Sequence, residues 1–282
     1  MLSYRHAFHA GNHGDVIKHF VLAELLAYYG QKEKPWTYID THAGAGCYTL
    51  NDEIAGKTRE FAGGIGRLWD REGLPAPLAD YANVIRQFNP GGRLVFYPGS
   101  PAVAMVFARE RDNLHFFERH PADLKTLRQT FRTADSRRAH IHDSDGFAGL
   151  SALLPPPSRR AVVLIDPSYE IKTDYARAVS TLAEAIKRFP AGCYVLWYPL
   201  LARPESRHLP KRLAGLGAGS WLDVRLRVCQ PVKAGFALFG SGLFIVNPPW
   251  ILPDRLKAAL PLLVKALGVD EHAGFDLDYH IE

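Results

Sequence analysis

Apolar positions along the chain alternate between helical spacing and short continuous runs. From Asp15 to Tyr29, Val16, Phe20, Ala23 and Ala27 fall on one stripe, with Gly30 as a stop. Runs that read as buried strands follow at 36–40, 113–118, 139–142, 161–166, 192–198, 222–229 and 241–247. Helical patterns lie between most of them, at 100–111, 121–133, 146–153, 173–189 and 204–215, and a last helix is expected at 253–267. This alternation predicts a mainly parallel sheet with helices on both faces.

Two regions depart from it. Residues 48–92 show no convincing strand but hold helix-compatible pieces at Ile65–Asp70 and Pro77–Phe88, so they read as a helical insertion subdomain. The main domain is then 1–47 with 93–282. The runs 222–229 and 241–247 follow each other with only a loop between them. A final antiparallel hairpin on a parallel, seven-stranded sheet fits a Rossmann-like class I methyltransferase better than a dinucleotide-binding fold of two similar halves.

Composition narrows the class only a little. The 282 residues are 47% hydrophobic, enough for a substantial core. Lys and Arg exceed Asp and Glu by 34 to 29, a modest lean toward a polyanionic partner. Cys47, Cys193 and Cys229 are far apart with no CxxC, which speaks against a disulfide framework or a zinc cage. His6, His9, His13 and His19 cluster without a metal-binding pattern, so no metal is expected. Without a signal-like start or a long apolar run, the chain reads as a cytoplasmic protein and a monomer.

Two loops carry the chemistry. Asp40-Thr41-His42-Ala43-Gly44-Ala45-Gly46 follows the run Trp36–Ile39, and Asp166-Pro167-Ser168-Tyr169 follows Ala161–Ile165. Glycines after a strand let a ligand approach the backbone, but the dinucleotide fingerprint G-x-G-x-x-G is absent. Glu118, closing Leu114–Phe117, is the natural acceptor for ribose hydroxyls, although it lies 72 residues beyond Gly46 where about 20 is usual. Asp145-Gly146 follows the run at 139–142, where an acid can receive an adenine amine or cap a helix. Asp166 and the Pro167 carbonyl can accept the two hydrogens of an exocyclic amine while Tyr169 stacks on the base. Together the loops suggest S-adenosylmethionine (SAM) chemistry on a nucleobase amine. Asn247-Pro248-Pro249-Trp250 has a similar look, but it ends the last expected strand and reads as a decoy.

The chain also resembles, essentially end to end, the ribosomal RNA large-subunit methyltransferase J family. The resemblance rests on Met1–His13 with Asp15-Val16 and Lys18-His19, on Asp40–Gly46, Tyr97–Pro101, Leu164–Pro167, Lys172–Tyr175, Leu196–Pro199 and Ile245–Trp250. It implies SAM-dependent methylation of adenine N6 in 23S rRNA. It further implies cofactor contacts at His19, His42, Ser100, Glu118, Asp145 and Gly146, catalysis at Asp166, and a substrate role for Tyr4. Ser168 departs from the family's usual second proline, which loosens the turn. DNA adenine-N6 methylation, and nucleic-acid binding with lost transfer activity, remain alternatives.

Overall fold

The computed structural model describes residues 6–50, 59–132, 138–231 and 237–282. In chain order the elements are α1 (His13–Gly30), β1 (Thr37–Asp40), β2 (Cys47–Thr49), α2 (Glu60–Gly63), α3 (Gly66–Trp69) and α4 (Ala76–Gln87). Then come β3 (Phe96–Pro98), α5 (Ser100–Phe107), β4 (Asn113–Phe117), α6 (Pro121–Thr130), β5 (Ala139–His142), α7 (Gly146–Gly149) and β6 (Ala161–Ile165). The last are α8 (Thr173–Arg188), β7 (Cys193–Leu200), α9 (Pro204–Ala214), β8 (Trp221–Arg227), β9 (Gly240–Val246), α10 (Leu252–Leu267) and β10 (Gly274–His280).

The main sheet has the order β10-β8-β9-β7-β6-β1-β4-β5. Strands β5, β4, β1, β6 and β7 are mutually parallel, while β9 lies antiparallel between β7 and β8. Strands β1 and β6 are buried on both faces, which explains their continuous apolar runs. Helices α1, α4, α5, α6 and α10 pack on one face and α7, α8 and α9 on the other, giving the expected α/β Rossmann-like class.

Three features differ from the sequence expectation. The sheet has eight strands, not seven, because β10 pairs antiparallel with β8. Its Asp276 and Asp278 pair diagonally across the ladder with Arg227 and Arg225, an ionic pairing that apolar periodicity does not reveal. Residues 48–92 do contain part of a strand, since β2 pairs with β3 in a two-stranded ribbon. The described helices of that segment also share the main core: Ile65, Leu68, Leu78, Tyr81, Val84 and Ile85 pack with α1 residues. Helix α1 is enclosed well beyond its predicted apolar stripe, being buried at every residue from Gly14 to Leu26.

The chain leaves β1 toward β4 and β5, then returns to β6 and β7 on the other side. Between β1 and β6 the strand order therefore reverses. Such a switch point opens a crevice at the carboxyl ends of the strands. Both chemistry-bearing loops leave the sheet there.

Candidate active site

The loop after β1 is held against the end of β6. Thr41 donates to the Leu164 carbonyl through its backbone N–H at 3.0 Å and through its hydroxyl at 3.1 Å. The two loops, some 120 positions apart in sequence, thus share one crevice. Gly44 and Gly46 adopt φ of +62° and +81°, and a Cβ at Gly44 would stand 2.3 Å from the Tyr48 hydroxyl oxygen. Glycine is required at both turns.

Glu118 closes this cradle. Its Oε2 accepts from the Gly44 N–H at 2.8 Å and its Oε1 from the His120 N–H at 2.6 Å. Burial raises the carboxyl pKa above its ordinary value, and these backbone donors work against that rise. A Cβ at Gly146 would meet the Thr41 carbonyl oxygen at 2.0 Å, so only glycine lets the loop after β5 approach the loop after β1. Asp145 caps α7 by accepting from the Phe147 N–H at 3.0 Å, while its other oxygen takes the Arg177 guanidinium at 2.6 Å. Burial pushes this carboxyl up, but Arg177 outweighs it and the pKa falls below the ordinary value.

His42 hydrogen-bonds Thr41 through Nδ1 at 2.8 Å and sets its ring edge-on against Phe147. Burial lowers its pKa to about 4, so the ring is neutral at pH 7. Ser100 begins α5 and is buried beside Asp40. The Gly99 N–H donates to the Gly46 carbonyl at 2.9 Å, joining that helix start to the glycine loop. His19 is 1% exposed, hydrogen-bonded to the Tyr97 hydroxyl at 2.9 Å, and lowered by burial to about 3. Its described contacts tie it to Tyr97 and not to the glycine loop.

Asp166 leaves β6 and meets a partner that periodicity alone does not find. Lys18 of α1 reaches Asp166 Oδ2 at 2.6 Å and Asp15 Oδ1 at 2.8 Å. Burial pulls the Lys18 ammonium down, yet the two carboxylates overcome this and its pKa lies above the ordinary value. Its Nζ also sits 5.6 Å above the Trp197 ring. Asp15 accepts from the Gly11 N–H and from His6, both at 2.9 Å. Burial would raise the Asp15 carboxyl, but His6, Lys18 and His19 hold it well below the usual range. Asp15, three residues before Lys18 in a helix buried all round, is the sequence signal for this pair.

Pro167 is buried, as is Tyr169 at 3% exposure. Tyr169 has φ of +53°, donates its hydroxyl to the Trp197 carbonyl at 2.7 Å, and tilts against Tyr175. The stacking face expected from sequence is therefore covered in this arrangement. Tyr4 lies outside the described residues. Asn247 sits at the opposite end of the sheet: β9 runs antiparallel, so Val246 pairs with Tyr194 near the start of β7. Its amide is occupied by the Pro190 and Gly192 carbonyls, while Trp250 stands 72% exposed. Among the described residues, no group of three His, Cys, Asp or Glu is arranged to hold a metal, and no helix is long and apolar enough to cross a membrane.

Known proteins resemble this chain along most of its length. Residues 33–280 match a family model described as "Ribosomal RNA large subunit methyltransferase D, RlmJ". The chain is 46% identical over 263 residues to an Escherichia coli protein named ribosomal RNA large subunit methyltransferase J, covering 93% of each chain. It is 42% identical to a Haemophilus influenzae protein of the same name, covering 95% of this chain and 94% of that one. A crystal structure of a Legionella pneumophila protein superposes with a TM-score of 0.88 at 34% identity, covering 96% of this chain and 98% of the other.

Proposed function

This chain belongs to the ribosomal RNA large subunit methyltransferase J family, and on that premise we propose that it uses SAM to methylate N6 of a specific adenine in 23S rRNA. The observation that carries the reading is the meeting, at the strand-order reversal, of the glycine cradle with an Asp166 carboxylate braced by a buried ammonium. DNA methylation and binding without transfer are not favoured. Both relatives are named for rRNA methyl transfer, and a pure binder has no use for the cradle.

The residues present fit SAM. Two glycines turn at positive φ, Gly146 packs where no Cβ is tolerated, and the Glu118 carboxylate closes the loop. Glu118 would take the ribose hydroxyls, and Gly44, Gly46, His42, Ser100, Asp145 and Gly146 would line the rest, with Asp166 near the methyl. His19 would support this wall from behind through Tyr97. When bound, SAM supplies an electrophilic methyl on a sulfonium.

The chain's own work is to orient and to accept a proton. Lys18 occupies Asp166 Oδ2 and leaves Oδ1 to receive one hydrogen of the adenine amine. The Pro167 carbonyl receives the other, which localises the nitrogen lone pair toward the methyl. Once the nitrogen is methylated its proton becomes labile, and Asp166 accepts it. Lys18 stays cationic throughout and acts as a fixed counter-charge. Tyr169 stacks on the base once the turn shifts to uncover its ring, and Tyr4 would have the substrate role that the family implies. The base leaves its stack to reach Asp166, with the insertion at 48–92 flanking the RNA.

The test is mass spectrometry of 23S rRNA methylated in vitro. Asp166→Asn is expected to abolish N6-methyladenosine while SAM still binds, and Asn247→Ala to leave most transfer. An inactive Asn247→Ala beside an active Asp166→Asn would move the chemistry to the other end of the sheet.

A further inference from the structure

We propose that the solvent face of α9 is a docking surface for the phosphate backbone of the substrate RNA, an assignment that rests on the rRNA reading above. Helix α9 starts just after β7, at the end of the sheet where Asp166 lies. Ser206, Leu209 and Leu213 are buried on one side of it, against α8 and β7. Arg207, His208, Lys211 and Arg212 are exposed, and their spacing of i, i+1, i+4 and i+5 places them on one stripe. The start of the helix is tied to the catalytic turn, because Glu205 meets Lys172, six residues past Asp166, at 3.5 Å. Arg207 also leans toward that rim, donating to the Ala202 carbonyl at 3.2 Å.

A basic helix face is most often only solvated, and two observations argue against that here. Around the crevice itself, Arg119 and Arg177 are neutralised by Asp145, and Lys172 by Glu205. Among the described residues, none of the four on α9 has an acid within ion-pair distance. The helix dipole accounts for Lys211 and Arg212 in the last turn, but Arg207 lies beyond the first turn and gains nothing from it. Like charges four apart on a helix also repel slightly, so folding gains nothing from this stripe. A polyanion does. An 11-residue helix presents about 16 Å of such surface, running from the catalytic rim down the side of the domain. That suits the strand flanking a base drawn out of its stack.

The experiment uses the full chain and unmodified, in-vitro-transcribed 23S rRNA. RNA binding is titrated between 50 and 200 mM salt, alongside methyl transfer. The variant Arg207→Gln/Lys211→Gln/Arg212→Gln is expected to bind at least tenfold more weakly at low salt. Its log K against log salt is expected to be shallower by roughly 2, since each lost phosphate contact removes about 0.7–0.9 from the slope. SAM affinity and the rate at saturating RNA should be unchanged. Arg207→Lys/Arg212→Lys keeps the charges and should behave as the parent. An unchanged slope in the triple variant overturns the proposal, as does equal impairment of the charge-keeping variant. So does a lower saturated rate at unchanged RNA affinity. An α9-dependent slope without methyl transfer by the parent protein would sink the enzymatic reading and leave the docking surface standing; transfer with an α9-independent slope would do the reverse.

Discussion

Replacing Lys18 with methionine keeps most of the buried stem and deletes the ammonium that joins Asp15 to Asp166. Asp15 would lose its 2.8 Å partner while remaining fully enclosed, with only the Gly11 N–H and His6 to hold its charge. Breaking a buried pair in this way costs about 3–5 kcal/mol. A domain of ordinary stability, roughly 5–15 kcal/mol, survives that loss with little margin. Asp166 would lose a charge-assisted bond of 2.6 Å, an interaction worth about 1.5–3 kcal/mol. If that bond orients the carboxylate for the adenine amine, transfer falls by about 10- to 100-fold at 1.4 kcal/mol per decade. The two losses separate in Asp15→Asn/Lys18→Met. Removing both charges should restore most of the stability, because the fully buried Asp15 carboxylate is no longer present to be left unpaired, yet Asp166 still lacks its brace and transfer stays low. Urea denaturation gives the stability, and single-turnover transfer to 23S rRNA with SAM saturating gives the rate. Transfer that recovers together with stability in the double variant would refute the bracing role and leave Lys18 as a structural cation only.

Glu118→Ala should weaken SAM binding by about 1.5–3 kcal/mol, read by calorimetry, because the ribose acceptor and the clasp on the Gly44 N–H go together; unchanged affinity would place the ribose acceptor elsewhere. Acid should destabilise the fold well above carboxylate pKa values. His19 and His42 lie near 3 and 4 when folded and near 6.5 when unfolded, so their contribution is full above pH 6.5 and is lost as pH falls toward the folded values, about 2 kcal/mol each between pH 7 and 5. Asp40 and Asp223, pushed up to about 6 by burial, oppose this by roughly 1 kcal/mol each, so a net fall in denaturant midpoint is expected and a flat profile would contradict the buried neutral histidines. Ser168→Pro should keep or raise the single-turnover rate with SAM affinity nearly unchanged, since a ring at that position only stiffens the turn before Tyr169; a collapse in rate with folding intact would show that the serine is fitted to this loop.

Much of this was legible in the sequence because the switch-point loops follow strands buried on both faces. Such strands announce themselves as apolar runs ending in Asp-Pro or Gly-x-Gly, and their order follows from right-handed crossovers. Strand β10 does carry strand-like alternation, with Phe275, Leu277 and Tyr279 set against Asp276 and Asp278; what the sequence does not show is its place beside β8, where those aspartates meet Arg225 and Arg227. The burial of Tyr169 escaped because a turn sequence specifies backbone shape and not what covers the ring. Lys18 and Asp15 escaped for a different reason. Polar residues on a helix are assigned to solvent unless the helix is known to be enclosed, and α1 is enclosed by the sheet together with α4, α5 and α10.

That enclosure also supports proposing Asp166, and not Asp40, as the aspartate that does the chemistry. Asp40 and Asp166 have the same sequence context, each ending an apolar strand, and the two strands are neighbours in register. Asp40 is fully buried and surrounded by neutral donors: the Tyr38 hydroxyl at 2.9 Å, the His42 N–H at 3.2 Å and the Ser100 hydroxyl. Burial, only partly offset by these donors, pushes it up to about 6, which suits an anchor for the glycine loop. Asp166 stands at the open edge of the crevice, and Lys18 delivers its charge there and not to Asp40. One carboxylate has every oxygen committed to the fold, while the other keeps one oxygen free and its charge balanced. Only the second has an oxygen open to the amine of the proposed substrate, and that difference comes from a lysine nearly 150 positions away in sequence.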